Sequence, residues 1–97
     1  MYKITQTLFL GRRLWRLTIL DSKNDLIGIY SFYLPLDSDV VSVSPQRHIS
    51  VHTAHRDIWI SIIKCFDGKT TTQIKEYLEL LVLINQDWVF KTEELEE

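Results

Sequence analysis

Apolar and polar residues alternate along the first third of the chain with the two-residue period of a β-strand. From Trp15 to Ile19 every second residue is apolar, which predicts a strand with one polar face. The turn-rich residues 21–25 follow, and the aromatic and β-branched residues of Leu26–Leu34 predict an antiparallel return strand. Residues 1–11 alternate only loosely, so we expect either an edge strand or a loosely attached arm.

Two further short strands are predicted, one on each side of a helical region. Val40–Ser44 lies between a proline-containing loop and Pro45, which predicts a third strand that ends at this proline. Trp88–Phe90 predicts a final short strand or an anchoring segment. The tail that follows, residues 91–97, is rich in glutamate and is expected to be frayed.

Residues 53–67 change to the period of an amphipathic α-helix. Thr53 is the expected N-cap, because its hydroxyl can accept a hydrogen bond from an amide of the first turn. Gly68 can adopt the left-handed conformation that often ends a helix. The apolar stripe of this helix contains Ile58, Trp59, Ile62, Ile63 and Phe66.

A second helix is predicted after this turn. Thr70 and Gln73 have the spacing of a capping box, in which each side chain accepts a hydrogen bond from the backbone N–H of the other residue. The apolar stripe of the second helix contains Ile74, Tyr77, Leu78 and Leu81, and residues 80–84 are apolar nearly all round.

Strands followed by helices predict one α+β domain over residues 1–97. We expect a small N-terminal antiparallel sheet of about three strands, followed by two helices, in a winged-helix-like arrangement.

Composition and charge exclude several classes of protein. The 97 residues are 45% hydrophobic and can form one core, but they leave little room for the deep cleft of an enzyme. A net charge of −2 disfavours a general nucleic-acid binder, whose domains are usually basic. The sequence has neither an apolar run that could span a membrane nor a signal peptide, so we expect a cytoplasmic protein with no membrane partner.

Clusters that could carry chemistry are better explained as structural features. His48, His52 and His55 lie close together, but no cysteine or carboxylate cluster completes a metal site. Cys65 is the only cysteine, so it cannot form an internal disulfide, and no base lies at an evident position to activate its thiol. We therefore expect no catalytic residue, no cofactor and no metal ion.

The nearest approach to a nucleic-acid-binding patch is a short basic step. Arg12, Arg13 and Arg16 surround Trp15, which could stack on a base. Strand alternation places Trp15 opposite Arg16 and assigns the tryptophan to the core. Binding of nucleic acid is therefore disfavoured, and docking of an acidic peptide or protein is an alternative use of these arginines.

One stretch resembles a known family of peptide-binding domains. Its lead-in Ile49–Ala54, the pair Ile58-Trp59, the turn Phe66–Thr70 and Ile74 are similar to the pattern of the PqqD-like family. This family includes the peptide chaperone of pyrroloquinoline quinone biosynthesis and the recognition elements of enzymes that modify ribosomally made peptides. The similar stretch covers about a quarter of the chain.

The chain departs from the family pattern in its residues and in its length. Val51-His52 replaces Leu-Asn, and Gln73-Ile74 replaces Glu-Ile. In the family a third helix forms one wall of the peptide groove, whereas residues 77–90 have room only for the rest of one helix and a turn.

The resemblance implies a non-catalytic module that captures a leader peptide and presents it to a separate modifying enzyme. The peptide would add a strand to the exposed edge of the third strand, and apolar pockets on the last helix would form the opposite wall. The implied peptide-binding residues are Val40, Val41, Ser42, Val43, Ser44, Leu80, Leu83 and Ile84.

Two other functions stay open. A winged-helix DNA-binding regulator would use the second helix for recognition, but this region offers Lys69 and Lys75 against Glu76 and Glu79. A small viral or host interaction protein would block a partner through the acidic tail or the exposed sheet, and could act as a homodimer.

Overall fold

The computed structural model describes residues 1–35, 38–43, 48–50 and 53–96, and for residues 48–50, 53 and 54 it describes the backbone only. Within these ranges the chain forms one mixed sheet and two helices. The elements are β1 (Tyr2–Phe9), β2 (Leu14–Asp21), β3 (Leu26–Tyr33), β4 (His48–Ser50), α1 (Thr53–Lys64), α2 (Thr71–Ile84) and β5 (Val89–Leu95).

The strands form a five-stranded sheet in the order β4-β3-β2-β1-β5. Neighbouring strands are antiparallel except β1 and β5, which run parallel. Four strands precede the two helices, so the predicted α+β class is confirmed, with one strand more than expected before the helices. No helix in the described part of the chain is long and apolar enough to cross a membrane.

The two ends of the chain lie side by side in the sheet. Tyr2–Phe9 is an internal strand between β2 and β5, rather than an edge strand or a loose arm. The predicted final strand at Trp88–Phe90 continues to Leu95, so residues 91–95 pair with β1 instead of fraying. Pairing supplies partners for backbone groups that a free tail would leave to water.

The predicted third strand does not join the sheet. Val40 forms an isolated bridge with Thr70, and the backbone N–H of Val41 donates to the carbonyl oxygen of Lys69 at 2.8 Å. The carbonyl oxygen of Val41 accepts from the N–H of Gly68 at 2.9 Å. Residues 40–43 therefore pair with the turn before α2, and His48–Ser50 takes the place next to β3. Ser44 lies outside the described residues.

Both helices pack on one face of the sheet. Aligned residues of neighbouring strands point to the same side, so the register identifies this face. The side chains that form its core are fully or almost fully buried: Tyr2, Ile4, Trp15, Leu17, Ile19, Tyr30 and Phe32 from the sheet, Trp59, Ile63 and Phe66 from α1 and the turn after it, and Ile74 and Leu78 from α2. The predicted stripe of α1 has one exception, since Ile58 is 49% exposed.

The turn between the helices forms as the sequence predicts. Gly68 has a φ of +76°, in the left-handed region that glycine adopts at little cost. The N–H of Gln73 donates to Thr70 Oγ1 at 3.1 Å, and the N–H of Thr70 donates to Gln73 Oε1 at 2.9 Å. This capping box fixes where α2 begins relative to the sheet.

Candidate functional site

The residues predicted to bind a peptide fall into two separate places. Val40–Val43 lies at the N-terminal end of α2, where Val41 is fully buried and its backbone bonds the turn. Leu83 lies thirteen residues beyond Thr70, about 20 Å along the helix axis. The two predicted walls therefore do not face each other across one groove.

The predicted apolar pockets form an exposed patch on α2 instead. Leu80, Leu83 and Ile84 are 52%, 74% and 69% exposed. Leu80 and Ile84 lie on the same side of the helix as Tyr77, whose ring contacts Phe66 with centroids 6.1 Å apart. Burial, with a smaller effect of the nearby Cys65, raises the pKa of Tyr77.

The open backbone edge of the sheet lies at β5. This strand pairs with β1 on one side, and no strand in the described ranges pairs with its other side. Its seven residues give an edge long enough for a guest strand. The opposite edge of the sheet is the three-residue β4, where the described chain is short.

A groove of about 170 Å³ lies beside this edge, between the start of α2 and the helix-covered face of β1 and β5. Gln6 is aligned with Thr92, and Leu8 with Glu94, so all four side chains point toward α2. The residues that line the groove are Gln6, Leu8, Thr71, Thr72, Lys75, Thr92 and Glu94.

The floor of the groove contains a buried polar group without a partner. Gln6 is only 4% exposed, and its Oε1 has no hydrogen-bond partner among the described residues. An unpartnered buried acceptor costs about 1–3 kcal/mol of stability. A ligand group with an N–H or O–H that reached Gln6 would recover this cost.

The rim of the groove carries one positively charged and one negatively charged side chain. Lys75 contributes an ammonium group that lies 4.0 Å from Glu79, and Glu94 contributes an exposed carboxylate on β5. Thr71 and Thr72 add hydroxyls in the first turn of α2, where the helix dipole favours electron-rich groups. The groove can therefore hold a small polar side chain through hydrogen bonds, with charges only at its mouth.

The groups considered for other chemistry are engaged in packing. The Tyr2 hydroxyl lies 2.7 Å from His55 Nδ1, and burial raises the pKa of Tyr2. Trp15 is fully buried, as strand alternation predicts. Arg13 donates hydrogen bonds to the backbone of the loop after β3, and Arg16 lies over the Phe9 ring at 4.9 Å. Of the three histidines, His52 lies outside the described residues.

Sequence reasoning missed the groove, although one signal was present. Tyr2, Ile4 and Leu8 share a face of β1, and Gln6 is the polar residue at the position that alternation assigns to the core. A polar residue at a core position needs a partner or a function. The place of Thr92 and Glu94 in the lining of the groove is not evident from the sequence, because the glutamate-rich residues 91–97 have the composition of a frayed tail.

Comparison with protein-family models, with curated proteins and with solved structures found no match to this chain. The resemblance to the PqqD-like family therefore stays a prediction.

Proposed function

We propose that this protein is a non-catalytic peptide-binding module that takes an extended peptide as an additional strand along the outer edge of β5. The observation that carries the proposal is the outer edge of Val89–Leu95, which no described strand pairs, beside a groove lined by Gln6, whose Oε1 has no hydrogen-bond partner among the described residues. By analogy with the resemblance, the guest is a leader peptide that is presented to a separate modifying enzyme.

Backbone hydrogen bonds supply the affinity in this mode of binding. A strand added to β5 satisfies the outward N–H and C=O groups of the edge, and it does so for any guest sequence. Successive side chains of the guest then point alternately toward the groove and toward the face of the sheet that the helices do not cover. Specificity must come from the side chains that enter the groove.

Gln6 selects the chemistry of the guest side chain in the groove. Its Oε1 is an acceptor that is itself almost completely buried, so we expect a guest side chain with an N–H or O–H donor to be favoured once it displaces the side chains that cover this oxygen. A volume of about 170 Å³ is suited to one side chain of moderate size. Because β5 lies between the guest strand and β1, the guest backbone is about 10 Å from Gln6, two strand spacings away. Glutamine carries a suitable donor on a side chain long enough to approach Gln6, whereas serine and threonine are too short.

The charge of the edge favours a basic guest. Lys91 pairs with Glu93 at 3.1 Å, which leaves the exposed carboxylates of Glu94 and Glu96 in excess along this edge. Charges of opposite sign on the guest raise the association rate and discriminate against acidic peptides.

The test is a selection from a displayed library of random peptides, followed by titration calorimetry of the recovered sequences. A leader peptide encoded beside this protein is the second probe. We expect recovered peptides to share one position with a side-chain amide. Gln6→Leu should weaken their binding about tenfold, the equivalent of one buried hydrogen bond.

Two controls separate strand addition from other kinds of binding. Gln86→Leu makes the same change at an exposed position in the turn before β5 and should leave affinity unchanged. Two peptides are N-methylated at every second residue, one at the odd and one at the even positions. One of them should lose binding and the other should keep it, because only alternate N–H groups face the edge. Failure to recover any binder, or equal effects of the two methylation patterns, would overturn the proposal.

A further inference from the structure

The side chains on one face of β5 are complementary to themselves when two copies run antiparallel. Cross-strand neighbours in a symmetric antiparallel pair share a face, so the two-fold axis must pass through a residue. With the axis at Thr92, Val89 lies opposite Leu95 of the second copy, and Lys91 lies opposite its Glu93. Each apolar residue meets an apolar one on this face, and each charge meets its opposite. On the helix-covered face, Phe90 lies opposite Glu94 of the second copy.

The neighbouring registers lack this match. An axis at Lys91 places two lysines opposite each other, and an axis at Glu93 does the same with two glutamates. Like charges directly opposite each other are destabilising. The register is therefore specified by the sequence of the strand.

The exposed state of these side chains agrees with a partner on this edge. Val89 and Leu95 are 52% and 40% exposed, and both lie on the face of the sheet that the helices leave open. The side chains of Lys91 and Glu93 are 64% and 42% exposed. All four belong to the strand whose outer edge has no partner in the described part of the chain.

We infer that a second copy of this chain docks on β5 in this register, forming a continuous ten-stranded sheet across a two-fold axis at Thr92. The consequence of this dimer rests on the proposed function, since the second copy occupies the same edge of β5 that the peptide is proposed to bind. Self-pairing then closes the peptide site, and a guest must compete with it.

The dimer should be weak. One pair of seven-residue strands with few flanking contacts buries less than the roughly 1,200 Å² of a standard stable interface. A weak dimer allows a guest peptide to displace the second copy and makes the free edge available at low protein concentration.

Charge reversal tests the register by sedimentation over a range of protein concentrations. Lys91→Glu and Glu93→Lys each create two like-charged pairs across the axis and should weaken the dimer roughly tenfold or more. The double variant restores both opposite-charge pairs and should restore the dimer. Glu96→Lys makes the same charge change as Glu93→Lys beyond the paired segment and should dimerise like the unchanged protein.

Disulfide trapping gives a second measurement, made in a Cys65→Ser background because Cys65 is exposed. Thr92→Cys should form a dimer, since opposite Cα atoms in this geometry lie within disulfide range. Val89→Cys should not, because the two copies of Val89 are offset by six residues, about 20 Å. Circular dichroism confirms that each variant is folded.

A chain that stays monomeric to about millimolar concentration, the affinity of a very weak complex, would overturn the inference. Equal trapping at both positions would also overturn it. Peptide binding measured where the chain is monomeric tests the proposed function separately. If the chain dimerises but binds no peptide, only the proposed function is contradicted. If it binds peptide but does not dimerise, only the inferred dimer is contradicted.

Discussion

Gln6 is the residue on which the candidate site depends most. It occupies a core position of β1 between Ile4 and Leu8, yet its carboxamide oxygen has no partner among the described residues. An apolar residue of similar volume would avoid the cost of burying an unpartnered polar group. A polar group kept at such a cost is typical of a binding function.

Gln6→Leu should therefore stabilise the fold while it weakens peptide binding. We expect the free energy of unfolding to rise by about 1–2 kcal/mol, because the unpartnered acceptor is removed and apolar surface is gained. Urea denaturation measures this change, with Gln86→Leu as the exposed control. A loss of stability in Gln6→Leu would show that the carboxamide has a structural partner in solution.

We expect two tyrosines to make the stability of the protein sensitive to alkaline pH. Burial raises the pKa of Tyr2 and of Tyr77 above the usual value of 10.0, and Cys65 adds to the increase at Tyr77. The folded chain then holds these protons more tightly than the unfolded chain. Stability should be fully present below about pH 10 and fall as the pH rises through the raised pKa values.

The double variant Tyr2→Phe and Tyr77→Phe tests this cause. Urea midpoints measured between about pH 8 and pH 11, a range that spans the tyrosine pKa, should decline less steeply in the double variant. The unchanged protein, measured under the same conditions, is the reference. If both proteins decline equally, other groups carry the alkaline dependence.

At the scale of elements, the turn between α1 and α2 positions the groove. Gly68 reverses the chain, the capping box at Thr70 starts α2, and residues 40–43 bond the outside of the same turn. Thr71 and Thr72 then begin the helix directly above β1 and β5. The loop after β3 and the N-terminus of α2 thus support each other.

Thr70→Ala should cost about 1 kcal/mol of stability, because the N–H of Gln73 loses its acceptor at the start of α2. The backbone bridge to Val40 does not need the hydroxyl. Thr72→Ala, at an exposed position in the first turn, should change stability by less than about 0.5 kcal/mol. Chemical denaturation measures the free energy of unfolding of both variants. Equal losses would mean that the hydroxyl of Thr70 stabilises α2 no more than the hydroxyl of Thr72.

The charges of β5 suit an edge strand that is used selectively. Natural sheets protect their edges with charged side chains, and β5 carries Lys91, Glu93 and Glu94. These residues discourage pairing with arbitrary strands but permit a partner with matching charges. A basic guest meets this condition through the excess carboxylates of Glu94 and Glu96, whereas the second copy, whose β5 is itself acidic, meets it only where Lys91 lies opposite Glu93.

At the scale of the whole molecule, the proposed function depends on which parts of the sheet the described elements leave uncovered. The helices cover one face, and the pairing of β1 with both β2 and β5 removes the N-terminal strand from the edge. The C-terminal strand becomes the edge that is available to a partner. The side chains of Leu80, Leu83 and Ile84 form a second exposed apolar patch, at the C-terminal end of α2.

The sequence by itself determined the local elements and the class of fold. Periodicity indicated β2, β3, α1 and α2, and Thr70 with Gln73 predicted a cap that the structure contains. These features depend on residues a few positions apart, so a local pattern is enough to specify them. Within the apolar stripe of α1, only the exposure of Ile58 depends on which elements pack against the helix.

The tertiary structure alone decided where the candidate site lies. Val40–Val43 had the pattern of a strand, but its partner is the turn before α2, and residues 91–95 had the composition of a tail, but they pair with β1. Both outcomes depend on hydrogen-bond partners far away in the chain, which alternation cannot reveal. The same long-range pairing brings Gln6 beside Thr92 and makes β5 an edge strand that no other described strand pairs, so the groove exists only once the two ends of the chain have met.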